Sequence, residues 1–125
     1  MKYLGIDFGL KRIGLATSNG DLAAPLTTIE VKNFKDAVGK MMEFIKKEGF
    51  DRIVVGLPEG KMGQTVKGFI KALRKGGLWV VEADETLSSQ RALSLAIEGN
   101  TPKEKRKFND DKAAAIILQN YLDSK

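Results

Sequence analysis

The sequence predicts an α/β fold with a five-stranded mixed sheet and helices on both of its faces. Three short apolar runs come first, separated by turns that contain glycine or asparagine, which is typical of an antiparallel meander. From residue 34 onward, stretches with a helical apolar period alternate with short apolar strands, which favours parallel pairing. The 125 residues show no internal repeat and no linker, so we expect one domain over residues 1–125.

The first three strands are predicted from apolar runs that end at turn residues. Asn19 and Gly20 form the turn between the second and the third run. The predicted strands are Lys2–Phe8, Arg12–Ser18 and Ala24–Val31.

The first helix is predicted from apolar residues that recur at intervals of three and four. They are Phe34, Val38, Met41 and Ile45. Asn33 can cap the start of this helix and Gly49 its end. The run Arg52–Gly56 that follows is continuously apolar after its first residue, which indicates a strand buried on both faces.

The rest of the chain alternates between helices and strands. Trp79 and Tyr121 lie in predicted core elements, so we expect both to be buried. The predicted elements are a helix over Gln64–Lys75, a strand over Leu78–Ala83, a helix over Thr86–Ile97, a basic linker over Lys103–Phe108, and a helix capped by Asn109 that ends near Leu122.

The composition excludes several kinds of catalytic chemistry. The chain has no cysteine and no histidine, which excludes disulfides, zinc fingers, thiolate nucleophiles and Ser-His-Asp sites. Acid–base or metal chemistry must then come mostly from carboxylates. Carboxylate oxygens suit hard cations such as Mg²⁺ or Mn²⁺.

The charge distribution points to a polyanionic partner. The net charge is +5, and residues 61–125 carry twelve basic and eight acidic groups against nine and eight in residues 1–60. This excess suggests nucleic acid, although an ordinary solvated lysine face explains it equally well. The longest uncharged stretch, Ala113–Leu122, is too short to span a membrane. With no signal-peptide pattern and no cysteine, we expect a cytoplasmic protein.

The carboxylates fall where elements end or begin. Asp7 lies near the end of the predicted first strand, Asp84 and Glu85 follow the last strand, and Asp110 and Asp111 open the final helix. Acids in a first helical turn also interact favourably with the helix dipole and need no further function. Together, however, such groups can hold two divalent ions about 4 Å apart for phosphodiester hydrolysis.

Four segments in order resemble one family. They are GIDFGLKRIGLA (5–16), IVVGLP (53–58), DETLSS (84–89) and NDDKAAAIILQNYLDS (109–124). The chain resembles the YqgF family, also called RuvX, of small bacterial ribonuclease-H-like proteins. This family is described as Holliday junction resolvases and as nucleases that mature the 5′ end of pre-16S rRNA. The resemblance covers essentially the whole chain and implies a ribonuclease-H-like fold.

The resemblance also implies a catalytic and metal-binding triad. It selects Asp7, Glu85 and Asp110, with Asp111 as the alternative third member, and Mg²⁺ or Mn²⁺ as the cofactor. Thr86 stands where the family usually has arginine, which removes a charge beside Glu85.

Basic residues near these acids are candidates for binding nucleic acid. Two of them follow the first turn and three share a face of the second predicted helix. They are Lys11, Arg12, Lys67, Lys71 and Lys75. Simple solvent exposure is the alternative interpretation.

The resemblance favours a metal-dependent endonuclease that matures pre-16S rRNA. A Holliday junction resolvase is the first alternative, and it calls for a dimer because the junction has two-fold symmetry. A non-catalytic nucleic-acid-binding module is the second. GIDFG also resembles the phosphate-binding start of actin-like ATPases and sugar kinases, but these need two such domains. Nothing in the sequence indicates a dimer, so we expect a monomer.

Overall fold

A computed structural model of the chain describes residues 1–58, 60–84 and 110–124. The predicted helix Thr86–Ile97 and the predicted linker Lys103–Phe108 lie outside these residues. The described strands are β1 (Tyr3–Asp7), β2 (Arg12–Ser18), β3 (Ala23–Glu30), β4 (Arg52–Leu57) and β5 (Val80–Asp84), and the described helices are α1 (Phe34–Glu48), α2 (Lys61–Lys75) and α3 (Asp110–Asp123).

The five strands form one mixed sheet in the order β3-β2-β1-β4-β5. The pairs β1–β2 and β2–β3 are antiparallel, and the pairs β1–β4 and β4–β5 are parallel. This confirms the predicted meander followed by parallel strands. Pro25 lies in β3, an edge strand, where a residue without a backbone N–H is tolerated.

Each face of the sheet carries its own apolar cluster, as predicted. Alternate residues of β1 divide between them, since Leu4 and Ile6 face α1 and α2 whereas Tyr3 faces α3. The α1–α2 cluster includes Met41, Ile45, Val66, Phe69, Ile70 and Leu73. The α3 cluster consists of Tyr3, Ala16, Val54, Ala114, Ile117 and Leu118, with partly buried side chains around it.

Both caps predicted for α1 are confirmed. The Asn33 side chain accepts a hydrogen bond from the Asp36 backbone N–H at 2.8 Å. At the other end Gly49 adopts the left-handed conformation, with φ of 72°, and its N–H donates to the carbonyl of Ile45. A residue with a Cβ would be strained there.

Helix α2 begins at Lys61, three residues before the predicted start at Gln64. Its N-cap is Gly60, which makes no side-chain capping bond, and its first turn holds no acid. Gly63 is required in that turn because a Cβ would collide with the carbonyl oxygen of Pro58. Without a Ser, Thr, Asp or Asn cap, the sequence has no marker for this start.

The prediction that Trp79 is buried is wrong. The strand β5 begins at Val80, after Trp79, and 44% of the Trp79 surface is exposed. Tyr121 is half-buried against the α3 cluster, with its ring centroid 6.4 Å from that of Tyr3.

Among the described helices, none combines the length and the apolar character that a membrane span requires.

Candidate active site

Asp7 is the last residue of β1 and lies on the sheet face that packs against α3. Side chains alternate along a strand, and Tyr3 belongs to the α3 cluster while Leu4 and Ile6 belong to the other. Asp7 therefore shares the face of Tyr3 and Gly5. The residue is partly exposed, so its carboxylate is within reach of a ligand at this edge of the sheet.

The strands on either side of Asp7 place glycines beside it. Asp7 pairs with Gly14 of β2. The β1–β4 register pairs Ile6 with Val55, which puts Gly56 at the level of Asp7 on the other side. Gly56 is in turn paired with Ala83 of β5. Both glycines are buried, so no side chain flanks the carboxylate of Asp7 in this row, which is a place of close approach to the sheet.

Helix α3 runs antiparallel to β1 and brings its first turn to the end where Asp7 lies. The ring of Tyr121 is next to that of Tyr3, whereas Gly5 lies against Ala114 and Leu118. Two further residues along β1 cover about 6.6 Å, and four residues back along the helix cover about 6 Å. The start of α3 at Asp110 therefore reaches the level of Asp7.

The two aspartates at this helix start occupy different positions around α3. Positions 110, 114 and 118 are spaced by four and so share the side of α3 that packs on the sheet. Asp111 is one residue, or about 100°, further around the helix. Its carboxylate accepts a hydrogen bond from the backbone N–H of Lys112 at 2.9 Å.

The carboxyl end of β5 lies at the same edge of the sheet. Because β1, β4 and β5 are parallel, Asp84 ends β5 where Asp7 ends β1, two strands or about 10 Å away. Glu85 and Thr86 follow Asp84 in the sequence and lie outside the described residues. Within 1–58, 60–84 and 110–124, no three carboxylates are placed to hold a metal ion.

Two of the predicted basic residues lie next to Asp7. Lys11 is exposed in the turn after β1, and its carbonyl accepts a hydrogen bond from Val31 N–H at 2.8 Å. Arg12 begins β2 two residues before Gly14, so it lies on the same face as Asp7. A Cβ at Gly9 would collide with the carbonyl oxygen of Arg12, so glycine is needed to bring these residues close to β1.

The other three basic residues are on the opposite side of the sheet. Lys67, Lys71 and Lys75 are all exposed along α2 and share one side of it, as predicted. The buried side of α2 packs into the cluster that contains Leu4 and Ile6, away from α3. A nucleic acid that touches both Asp7 and these lysines would have to pass around an edge of the sheet.

Comparison with known proteins now identifies the family. The model of the RuvX family, described as Holliday junction resolvase, matches residues 1–124. The chain belongs to the RuvX family. Relatives from Bacillus cytotoxicus and Caldanaerobacter subterraneus carry the name "Putative pre-16S rRNA nuclease". The first is 38% identical and the alignment covers all of both chains, and the second is 41% identical over 99% of this chain and 97% of its own.

Solved structures of resolvases share the fold of this RuvX-family chain. RuvC of Thermus thermophilus with a Holliday junction substrate gives a TM-score of 0.57 at 20% identity, covering 99% of this chain and 94% of RuvC. The fowlpox virus resolvase with Holliday junction DNA gives 0.62 at 13% identity, covering 99% and 98%. The predicted ribonuclease-H-like fold, that of RuvC-like resolvases, is thereby confirmed.

The sequence of this RuvX-family chain shows Gly5, Gly9 and Gly14 around Asp7, but it does not indicate that Gly56 lies at the same level. Gly14 and Gly56 each interrupt an apolar strand, and glycine inside a strand often marks a close approach of a ligand or another backbone. That signal was present in the sequence. Their common level with Asp7 depends on the strand register, which only the structure supplies.

Proposed function

We propose that this chain is a metal-dependent endonuclease that hydrolyses a phosphodiester bond in structured RNA, at the 5′ end of precursor 16S rRNA. The observation that carries the proposal is the meeting of the β1 end, the β5 end and the α3 start at one edge, with Asp7 in a row of glycines. The choice of RNA is supported by the names of relatives that match essentially the full length of the chain at 38–41% identity.

The residues at this edge fit a hard divalent cation. Asp7 offers carboxylate oxygens on a partly exposed surface, and the chain has no cysteine or histidine that would favour a softer metal. In this proposal Asp7, Glu85 and Asp110 hold Mg²⁺ or Mn²⁺. When bound, the metal would make water more acidic and would stabilise the negative charge that develops on the phosphate. Asp110 is preferred to Asp111 because position 110 is on the sheet-facing side of α3.

The chain's own residues bind and orient the nucleic acid. Gly14 and Gly56 place no side chain beside the carboxylate of Asp7, so it can turn towards a bound phosphate. Lys11 and Arg12 contribute positive charge at the same edge, which offsets the repulsion between the acids and the polyanion. The lysines of α2 would contact a segment of the nucleic acid that continues to the other side of the sheet.

A Holliday junction is the second candidate substrate. It is supported by the description of the family model and by the fold shared with resolvases. The junction has two-fold symmetry, so a resolvase needs two active sites in one assembly, whereas cleavage of an RNA end needs only one. We favour the monomer and the RNA substrate.

The experiment that tests the function is a cleavage assay with two labelled substrates. Purified protein with Mn²⁺ or Mg²⁺ is given a precursor 16S rRNA fragment and a four-way DNA junction. We expect cleavage of the precursor near the mature 5′ end. Asp7→Asn should reduce the rate about 10²- to 10³-fold while nucleic-acid affinity is kept.

A matched pair of variants identifies the third carboxylate. Asp110→Asn should reduce cleavage as Asp7→Asn does, and Asp111→Asn should leave the rate within about threefold of the wild type. The two variants are matched because each removes one negative charge from the first turn of α3. Cleavage of the junction alone, by a dimer, would favour the resolvase. Binding without cleavage of either substrate would favour the non-catalytic module and contradict the proposal.

A further inference from the structure

Trp79 is the single tryptophan of the chain, and it is exposed at the start of β5. Tryptophan is enriched at interfaces because it combines a large apolar ring system with a hydrogen-bonding N–H, so this exposed indole is a candidate contact surface. The backbone here is fixed, because the Trp79 carbonyl accepts a hydrogen bond from Ile53 N–H at 2.9 Å. The indole therefore projects from an ordered part of the sheet.

The Arg52 guanidinium lies over the indole ring. Its Cζ is 4.0 Å from the centroid of the Trp79 ring, which is within the range of a stacked cation–π contact. Arg52 is the first residue of β4, beside the start of β5. The contact restrains both side chains before any partner arrives, so a ligand that stacks there loses less conformational entropy in ordering them.

A second guanidinium is fixed next to this pair. Arg74 donates from Nε at 3.2 Å and from Nη2 at 2.9 Å to the carbonyl oxygen of Val80. The carbonyl of Trp79 points towards β4. Successive carbonyls of a strand point in opposite directions, so the carbonyl of Val80 points to the outer edge of the sheet. The guanidinium of Arg74 therefore lies at the outer edge of the sheet, against the residue that follows Trp79.

The surroundings add more positive charge. Residues 60–81 contain no acid and five basic residues, and the exposed Lys75 directly follows Arg74. At protein–protein interfaces, the residues that contribute most of the binding energy are also often tryptophan and arginine, so these residue types alone do not identify the ligand. On the other side, Asp51 precedes Arg52 and accepts a hydrogen bond from the Lys2 backbone N–H at 2.7 Å. The basic α2 side favours a ligand that combines a flat apolar ring with negative charge, which describes a nucleotide.

We infer that Trp79, Arg52 and Arg74 form a stacking platform for an unpaired nucleotide of single-stranded nucleic acid. The base stacks on Trp79, and the arginines interact with the phosphate on either side of it. The platform lies at the far end of the strands from Asp7, since Arg52 is four residues, or about 13 Å, before Gly56 along β4. It would hold a single-stranded segment that extends from the cleavage site. The inference rests on the proposed function only in taking nucleic acid as the ligand.

The single tryptophan makes a direct test possible. The full chain carrying Asp7→Asn, without divalent metal, is titrated with oligo-uridine, oligo-deoxythymidine and a blunt duplex while Trp79 emission is followed. We expect the single strands to quench the emission and to protect the indole from acrylamide, and the duplex to do neither. Stronger quenching by oligo-uridine than by oligo-deoxythymidine would assign the site to RNA, and equal quenching would assign it to single strands in general. Both results support the platform.

Variants test the same surface by the anisotropy of a labelled oligonucleotide. Trp79→Ala should weaken single-strand binding about 5- to 100-fold, and Trp79→Phe should retain much of the affinity because it keeps an aromatic plane. Arg52→Lys keeps the charge but loses the planar group, so it should weaken binding more than Lys35→Ala at the start of α1, the end where Phe34 packs on Phe8. Circular dichroism melting confirms that each variant is folded.

Two outcomes would overturn the inference. One is unchanged Trp79 emission when anisotropy shows the oligonucleotide to be bound, and the other is equal affinity of Trp79→Ala and the parent protein. Either result would indicate that Trp79 and Arg52 contact a protein partner and not a nucleotide. Quenching without cleavage by the protein that retains Asp7 would count against the proposed function alone, and cleavage without quenching against the platform alone.

Discussion

Gly5 of β1 lies directly against Leu118 of α3. A Cβ added at Gly5 would be 2.7 Å from the Leu118 Cβ and 2.9 Å from the carbonyl oxygen of Ala114. Both distances are too short for ordinary contact between these atoms, so only glycine permits this packing. Because α3 is seated here, its first turn reaches the level of Asp7. A packing contact away from the acids thus sets the geometry of the candidate site.

Replacing Gly5 by alanine should therefore affect both stability and cleavage. We expect the free energy of unfolding to fall by about 1–3 kcal/mol, because α3 must shift to accept the methyl group. Urea denaturation measures this change. Gly39→Ala is the matched control, because Gly39 is exposed in α1 and a Cβ added there would meet nothing within 4 Å. The free energy of unfolding of this variant should rise by up to about 1 kcal/mol. Equal effects at both glycines would contradict the packing argument.

The strand and helix order was predictable because local patterns determine it. The caps at Asn33 and Gly49 and the apolar repeat of α1 predicted that helix to within a residue. The early start of α2 was missed because Gly60 offers no capping side chain. Local periodicity determines where elements lie more reliably than where they begin.

Positions that depend on tertiary neighbours were less predictable. The sequence predicts that Trp79 is buried because it falls inside the predicted strand Leu78–Ala83, but the observed strand begins at Val80 and the exposed side chain lies against Arg52. The glycine row around Asp7 depends on strand register. The face that carries the α2 lysines depends on which side of the sheet the helix packs. The single-domain organisation and the cytoplasmic location stay predictions.

A second prediction concerns the start of α1 in acid. Asp36 accepts a hydrogen bond from Lys32 N–H at 2.9 Å and lies 3.2 Å from the Lys40 ammonium. The bond from Lys32, and then that from Lys40, hold the pKa of Asp36 below its ordinary value. A carboxylate with a lowered pKa in the folded state stabilises it above the pKa of the unfolded chain. This contribution is lost as the pH falls below about 4.

Thermal unfolding measured between about pH 6 and about pH 2 tests this prediction. The melting temperature of Asp36→Asn should be lower than that of the wild type at neutral pH, and the two should converge in acid. Lys40→Met should raise the pKa of Asp36 towards its ordinary value, observed by NMR of the carboxyl carbon. A difference between wild type and Asp36→Asn that stays constant down to the lowest pH would show that ionisation of Asp36 is not involved.

A third prediction concerns the space beside Asp7. In Gly56→Ala, the methyl group would lie on the face of Asp7, one strand or about 4.8 Å away. We expect cleavage to fall about 10- to 100-fold, because the methyl group would crowd the carboxylate of Asp7 and move it from its position. Circular dichroism melting and oligonucleotide binding serve as controls, since neither should change in proportion. Full cleavage by Gly56→Ala would show that the glycine row is not needed to position the carboxylate.

The last prediction separates the α2 lysines from the general charge of the protein. Each phosphate contact adds about 0.7–0.9 to the slope of log affinity against log salt concentration. Replacing Lys67, Lys71 and Lys75 together by glutamine should therefore reduce the slope by about 2–3, if all three contact phosphates. The control is the same change at three exposed lysines of α1, which are Lys35, Lys46 and Lys47. Both variants lose three charges, so net charge alone would change the slope equally. A larger change for the α2 variant, measured with a precursor rRNA fragment, would place the nucleic acid along α2, and equal slopes for the two variants would contradict contacts particular to the α2 lysines.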